Sequence, residues 1–108
     1  MIGRVWHGWT TRGNAPAYEA LLCTRVLPAI AARGIPGYRG AHVLKLEGGE
    51  EVEFVTLLWF DSMDAIRTFA GPDHEIAVVP EDARRLLSRF DARSRHYESL
   101  LAPDDPFA

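Results

Sequence analysis

The chain has 108 residues, 47% hydrophobic and 25% charged, with a formal net charge of −3 at pH 7. That is the size of one domain and too short for two, with the balance of a soluble globular protein. No run of Lys or Arg offers the cationic face that nucleic acid demands, no stretch approaches the roughly 20 apolar residues of a membrane span, and residues 1–9 lack the apolar core of a signal peptide, so a cytoplasmic protein is expected.

Residues 2–11, IGRVWHGWTT, are rich in Val, Ile, Trp and Thr and read as a strand ending before the breaker pair Gly13-Asn14. Trp6 and Trp9 lie three apart and so point to opposite faces, and His7 shares a face with Val5 and Trp9. Asn14 is suited to cap a helix, with Pro16 in its first turn. Tyr18, Leu21, Leu22, Val26 and Ile30 then recur at helical spacing. Pro28 lacks a donor and crowds Thr24, so a kink is expected there. Gly34 and Pro36 close the helix. Cys23, with no cysteine to pair with, reads as packing within this helix and fits a reducing compartment.

Two extended runs follow, 38–47 and 51–61, joined at Gly48-Gly49, which can supply the positive φ of a tight hairpin. In the second run Val52, Phe54, Leu58 and Phe60 share one face, while Val55, Leu57 and Trp59 share the other. A strand with one wet face would alternate apolar with polar, so this one is covered on both sides. His42, with Leu44 and Leu46, is assigned to the side that meets the helices. Ser62 caps a second helix carrying Ala65, Ile66 and Phe69, and Gly71-Pro72 closes it.

Residues 73–80 show no pattern beyond one helical turn. Pro80 opens a short helix through Ala83, Leu86 and Leu87. A last strand is expected from Ser88 to Glu98, with Phe90, Ala92 and His96 on one face and Arg89, Arg93, Arg95 and Tyr97 on the other. Arg84, Arg85, Arg89, Arg93 and Arg95 are interleaved with Asp82, Asp91 and Glu98, which reads as an ion network. Residues 99–108 are a tail.

Strand, helix, hairpin, helix, strand is the split βαβ order of ferredoxin-like domains. The expected fold is therefore α+β, βαββαβ with a four-stranded antiparallel sheet, over residues 1–98. Helices on one face leave the other bare, so the doubly apolar strand predicts a homodimer, sheet against sheet.

The stretch EFVTLLWFDSMDAIRTFAG, residues 53–71, resembles the strand-Trp-turn-helix signature of the antibiotic biosynthesis monooxygenase superfamily of dimeric α+β barrel proteins. The ARGIPGYRG connection and the closing SRFDARSRHYE fit the same plan, so the resemblance spans residues 2–98. It implies a monooxygenase without metal, flavin or other cofactor, acting with O₂ on a small hydroxylated aromatic or polyketide-like compound. The same family leaves two alternatives, a non-catalytic dimeric small-molecule-binding or stress-response protein and a lactone-type isomerase. Its heme-degrading branch is disfavoured. That branch carries an Asn on the first strand, a Trp late in the second helix and a downstream iron-ligating His. Here residues 2–11 hold no Asn, Phe69 stands in the Trp-like place, and His74 follows too soon.

His74, in the connection after Gly71-Pro72, is the first candidate base, since a near-neutral imidazole can take a phenolic proton. His42 is the second. Trp59, Trp9, His7 and Tyr38 are the expected pocket walls, and Arg84 the expected partner of a substrate oxygen. Plainer readings stand beside these. His74 also reads as an exposed loop residue near a helix start, paired with Asp73 or Glu75, Trp59 as a core plug, and His7 and His42 as hydrogen-bonded core groups. His96 reads as a strand-edge or dimer-contact residue. No His pair has a spacing that forces metal ligands to converge, and no Ser or Cys sits in a nucleophile elbow.

Overall fold

In the computed structural model, which describes residues 1–108, β1 (Ile2–Thr11) runs through the middle of an antiparallel sheet. β3 (Glu51–Phe60) pairs with it along its whole length, Ile2 opposite Phe60 and Thr11 opposite Glu51. β2 (Tyr38–Gly48) pairs with the far side of β3. The other side of β1 is shared by two short strands. β4 (Leu87–Phe90) meets Gly8 to Thr10, and β5 (Arg95–Glu98) meets Ile2 to Val5.

The single closing strand expected over 88–98 is therefore interrupted at 91–94. Groups of β1 and of the preceding loop take over this stretch. The Trp6 indole N–H donates to the Asp91 carbonyl at 2.7 Å, and the His7 backbone N–H donates to the Asp91 carboxylate at 3.2 Å. The Ser94 N–H donates to the Glu75 carbonyl at 2.7 Å, and the Ala77 N–H to the Ala92 carbonyl at 3.0 Å. Residues 71–80 form no helix. They lie along the gap, with Ile76 bridging Arg93.

Residues 15–32 form one long helix in three parts: α1 (Ala15–Leu21), a π turn (Leu22–Val26) and α2 (Leu27–Ala32). Pro28 leaves the Thr24 carbonyl without its usual donor, and the helix answers by widening just ahead of the proline. Asn14 stands at the cap position with its backbone only. Its carbonyl accepts from the Tyr18 N–H at 2.9 Å, and its side chain makes no cap bond. α3 (Met63–Ala70) opens as expected, with the Ser62 hydroxyl accepting from the Ala65 N–H at 3.2 Å. α4 (Glu81–Leu86) follows Pro80 directly. In the hairpin, Gly48 belongs to its strand and only Gly49 takes a positive φ, 62°. Positive φ at the first central residue alone is the pattern of a type II′ turn.

The helices cover one face. Val52, Phe54, Thr56, Leu58 and Phe60 of β3 are all buried beneath them. Phe60 and Ile66 are 0% exposed, and Tyr18 meets Phe54 edge-on at 4.9 Å between ring centroids. Each such side chain contributes about 1.5–3 kcal/mol by leaving water.

His42, Leu44 and Leu46 lie on the opposite, open face, which corrects their assignment to the helix side. The cause is a bulge between Tyr38 and Gly40. Tyr38 opposes Phe60 and Gly40 opposes Trp59, so Arg39 is an extra residue. A regular strand would set His42 against Thr56, but the bulge sets it against Leu57. One added residue flips every side chain beyond it to the other face.

Candidate functional site

A cavity of about 50 Å³ lies between the sheet and the long helix. Arg4, Trp6, Thr56 and Ser94 form the polar part of its lining, Tyr18 and Phe69 stand in its walls, and residues 78–80 close it. The Trp6 ring needs Gly8 beside it: a Cβ at Gly8 would stand 3.1 Å from that ring and 3.1 Å from Leu87.

Arg4 is 3% exposed. Its guanidinium donates to the backbone carbonyl of His74 and to that of Ile76, the latter at 2.9 Å, and its Nη1 lies 2.9 Å from His96 Nε2. The Phe69 ring centroid is 5.4 Å from Cζ. None of these partners is an anion, and burial pulls the Arg4 pKa down to about 10. Arginine has donors only, so His96 must present a bare Nε2 lone pair to it. Burial first, then the charges of Arg4 and His74, push the His96 pKa below its ordinary value against a smaller opposing pull from Glu75, and favour that neutral form. Thr56 is 7% exposed, and its buried hydroxyl has no hydrogen-bond partner. Tyr18 is a neutral wall, its phenol pushed up to about 12, mainly by burial.

The residues expected to form the pocket lie elsewhere. The backbone carbonyl of His74 reaches Arg4, while its ring packs 5.3 Å from that of His96 and does not line the cavity. Asp73 and Glu75, its expected partners, pair with Arg93 at 3.3 and 3.6 Å. His96 stands on the edge strand β5, as expected, but its register with Arg4 turns it to the helix side and away from the open face. Tyr38 packs on Phe60 at 5.4 Å, outside the cavity. Arg84 is exposed on α4, 5.5 Å from the Phe90 ring, and donates to the Val79 carbonyl at 3.2 Å.

Trp59, Trp9, His7 and His42 lie instead on the open face, in two separate pairs, Trp59 with His42 and Trp9 with His7. Trp59 lies over Gly3, where a Cβ would be 3.0 Å from its ring, and its indole N–H donates to His42 Nδ1 at 2.9 Å. His7 Nδ1 is 2.9 Å from Asp91 Oδ2, and its Nε2 is 3.9 Å from Glu53. Trp9 stacks beside His7 and carries Arg89 at 3.9 Å over its ring. No three His, Cys, Asp or Glu side chains converge as metal ligands would.

Sequence reasoning missed Arg4 and Thr56 and set Trp9, not Trp6, in the pocket wall. A signal for Arg4 existed. It is the one charged residue among Ile2, Trp6, Gly8 and Thr10, the alternate positions of β1 that share its face.

No family model matches this chain, and no curated protein does. Among solved structures it is similar to that of Rv0793 from Mycobacterium tuberculosis, at 18% identity and a TM-score of 0.60, covering 95% of this chain and 98% of that one. At that identity the likeness is one of fold. No helix is long and apolar enough to cross a membrane.

Proposed function

We propose that this chain is a cofactor-independent, monooxygenase-like protein of ferredoxin-like order and of the antibiotic biosynthesis monooxygenase superfamily. In this reading it takes a small hydroxylated aromatic or polyketide-like compound into the cavity between helices and sheet. The observation that carries the reading is the make-up of that cavity: apolar walls, with a few polar side chains gathered on the floor. The strand order β2-β3-β1-β4 and the fold likeness to Rv0793 support the architecture.

At about 50 Å³ the cavity falls well short of the roughly 300 Å³ at which ligand pockets begin. In this reading a ring-sized ligand is admitted as the walls widen, residues 78–80 among them. In the reaction the substrate leaves its phenolic proton with solvent water, reacts as an electron-rich anion, and the proton is returned when water forms. A ring CH₂ and O₂ then become a carbonyl and water, with O₂ as the sole oxidant.

The open face supports a homodimer. Leu44 and Leu46 are 56% and 63% exposed there, continuous with Val55 and Leu57 on the neighbouring strand.

The test is O₂ uptake by purified, metal-free protein supplied with anthrone-type phenols. One O₂ consumed per substrate is expected, and a Thr56→Leu variant, which fills the floor, should slow it. Absence of turnover across a broad panel ends the oxygenase reading. A second reading, binding without chemistry, is favoured by one observation: no imidazole or carboxylate lines the cavity. It predicts saturable binding with no product formed, whereas conversion under nitrogen would point to the isomerase.

A further inference from the structure

The floor of the cavity carries a positive charge that nothing in the protein answers. Around Arg4, β5 contributes the neutral His96 ring, the 71–80 loop contributes the carbonyls of His74 and Ile76, and α3 contributes Phe69. The nearest acidic loop residue, Glu75, is turned to Arg93 at 3.6 Å. An unpaired charge is expensive to bury, and a buried hydroxyl without a partner is a lesser penalty of the same kind. Both lie on one floor. Trp6 opposes Thr56 in the register and Arg4 opposes Leu58, so Arg4 and Thr56 are diagonal neighbours on one face of the paired strands.

We propose that the ligand binds as a monoanion, its oxyanion on the Arg4 guanidinium and a second polar atom on the Thr56 hydroxyl. The site thus selects the ionised form of a phenol or carboxylic acid over the neutral one. This rests on the reading that the cavity is the ligand site, and it holds whether or not chemistry follows. A planar guanidinium with several donors suits an oxygen anion better than a point charge does. An arriving anion replaces neutral carbonyls with a charged partner. It also supplies Thr56 with the hydrogen bond that the empty cavity denies it.

4-Nitrophenol is a direct probe, because only its phenolate is yellow. At a pH just below its own pKa, adding the intact protein should deepen the colour saturably. 4-Nitrobenzoate should displace it, while neutral 4-nitrobenzamide and 4-nitroanisole should compete roughly 10- to 100-fold more weakly, the range of a hydrogen bond to a charged group. The relative affinities of phenolate and benzoate identify which oxyanion the site prefers, and either order supports the proposal. Arg4→Met should lose the preference for anions, and Thr56→Val should weaken binding while keeping it. Arg4→Lys, charged but without the planar fork, should fall between wild type and Arg4→Met. If 4-nitroanisole competes as well as 4-nitrobenzoate, or if Arg4→Met or Arg4→Lys behaves as wild type, the anion proposal is overturned and the cavity reading survives. If none of the compounds binds, the cavity reading fails and this proposal falls with it.

Discussion

The two faces of this sheet are made from alternate residues of the same strands, yet they handle charge in opposite ways. On the open face, several charged groups meet partners in place, and Arg95, opposite Val5, stands in water. His7 lies between Asp91 and Glu53, and Arg89 reaches Glu51 at 3.0 Å while covering Trp9. On the covered face, Arg4 is sealed among carbonyls, an imidazole and a ring, beside a hydroxyl that bonds to nothing. A surface whose charges are paired or bathed in water needs no ligand to complete it. An interior with one charge left over is completed by something that enters.

The sharpest way to break this comparison is to truncate neighbouring residues on opposite faces. Phe60→Ala, on the covered face, should lower the unfolding free energy by about 3–5 kcal/mol, the range for a buried aromatic. Trp59→Ala, one residue away on the open face, should cost clearly less in the isolated protomer. Denaturant melts of both decide the matter, and a reversed order would mean the faces are misassigned. Next in size is assembly. Leu44→Glu with Leu46→Glu should shift the sedimenting species toward a monomer by at least about tenfold in dissociation constant. Protomer stability should move by no more than about 0.5 kcal/mol per site, as for surface changes. A wild-type protein that already sediments as a monomer would remove the dimer.

The smallest effect concerns His96. Its folded pKa lies below the ordinary 6.5, so the unfolded chain binds the proton more readily. Stability should be full above pH 6.5 and fall as the pH drops from there toward the folded value. Thermal melts between about pH 5 and 7.5 should show that fall, and His96→Gln should flatten it. An unchanged slope in the variant would place the titrating group elsewhere.

Much of the architecture could be read from residues because its signals are local. Proline and glycine punctuate the chain at Gly34-Ile35-Pro36, Gly48-Gly49 and Gly71-Pro72, Ser62 caps its helix through its own hydroxyl, and β3 is apolar on both sides. What escaped was set at a distance. The bulge at Arg39 inverts the phase of β2, and alternation alone does not show where an extra residue falls. The break in the last strand depends on Asp91 being engaged by Trp6 and His7, more than 80 positions away in sequence. The site escaped for a related reason. With both faces of β3 apolar, the sequence offers no guide to which parity of β1 turns inward, and Trp9 was preferred where Trp6 belongs. Arg4 shows best what closer reading would have found, a charge placed among residues that otherwise belong to the core.

The π turn at residues 22–26 has an evolutionary side. A widened turn of this kind holds one residue more than the α-helices flanking it, so removing a residue there, together with replacing Pro28, leaves a plain helix with both ends still usable. The same deletion within β3 would send Phe54 or Phe60 into solvent. Changes in chain length should therefore be absorbed by the long helix across descendants of this fold, while the central strands keep their count.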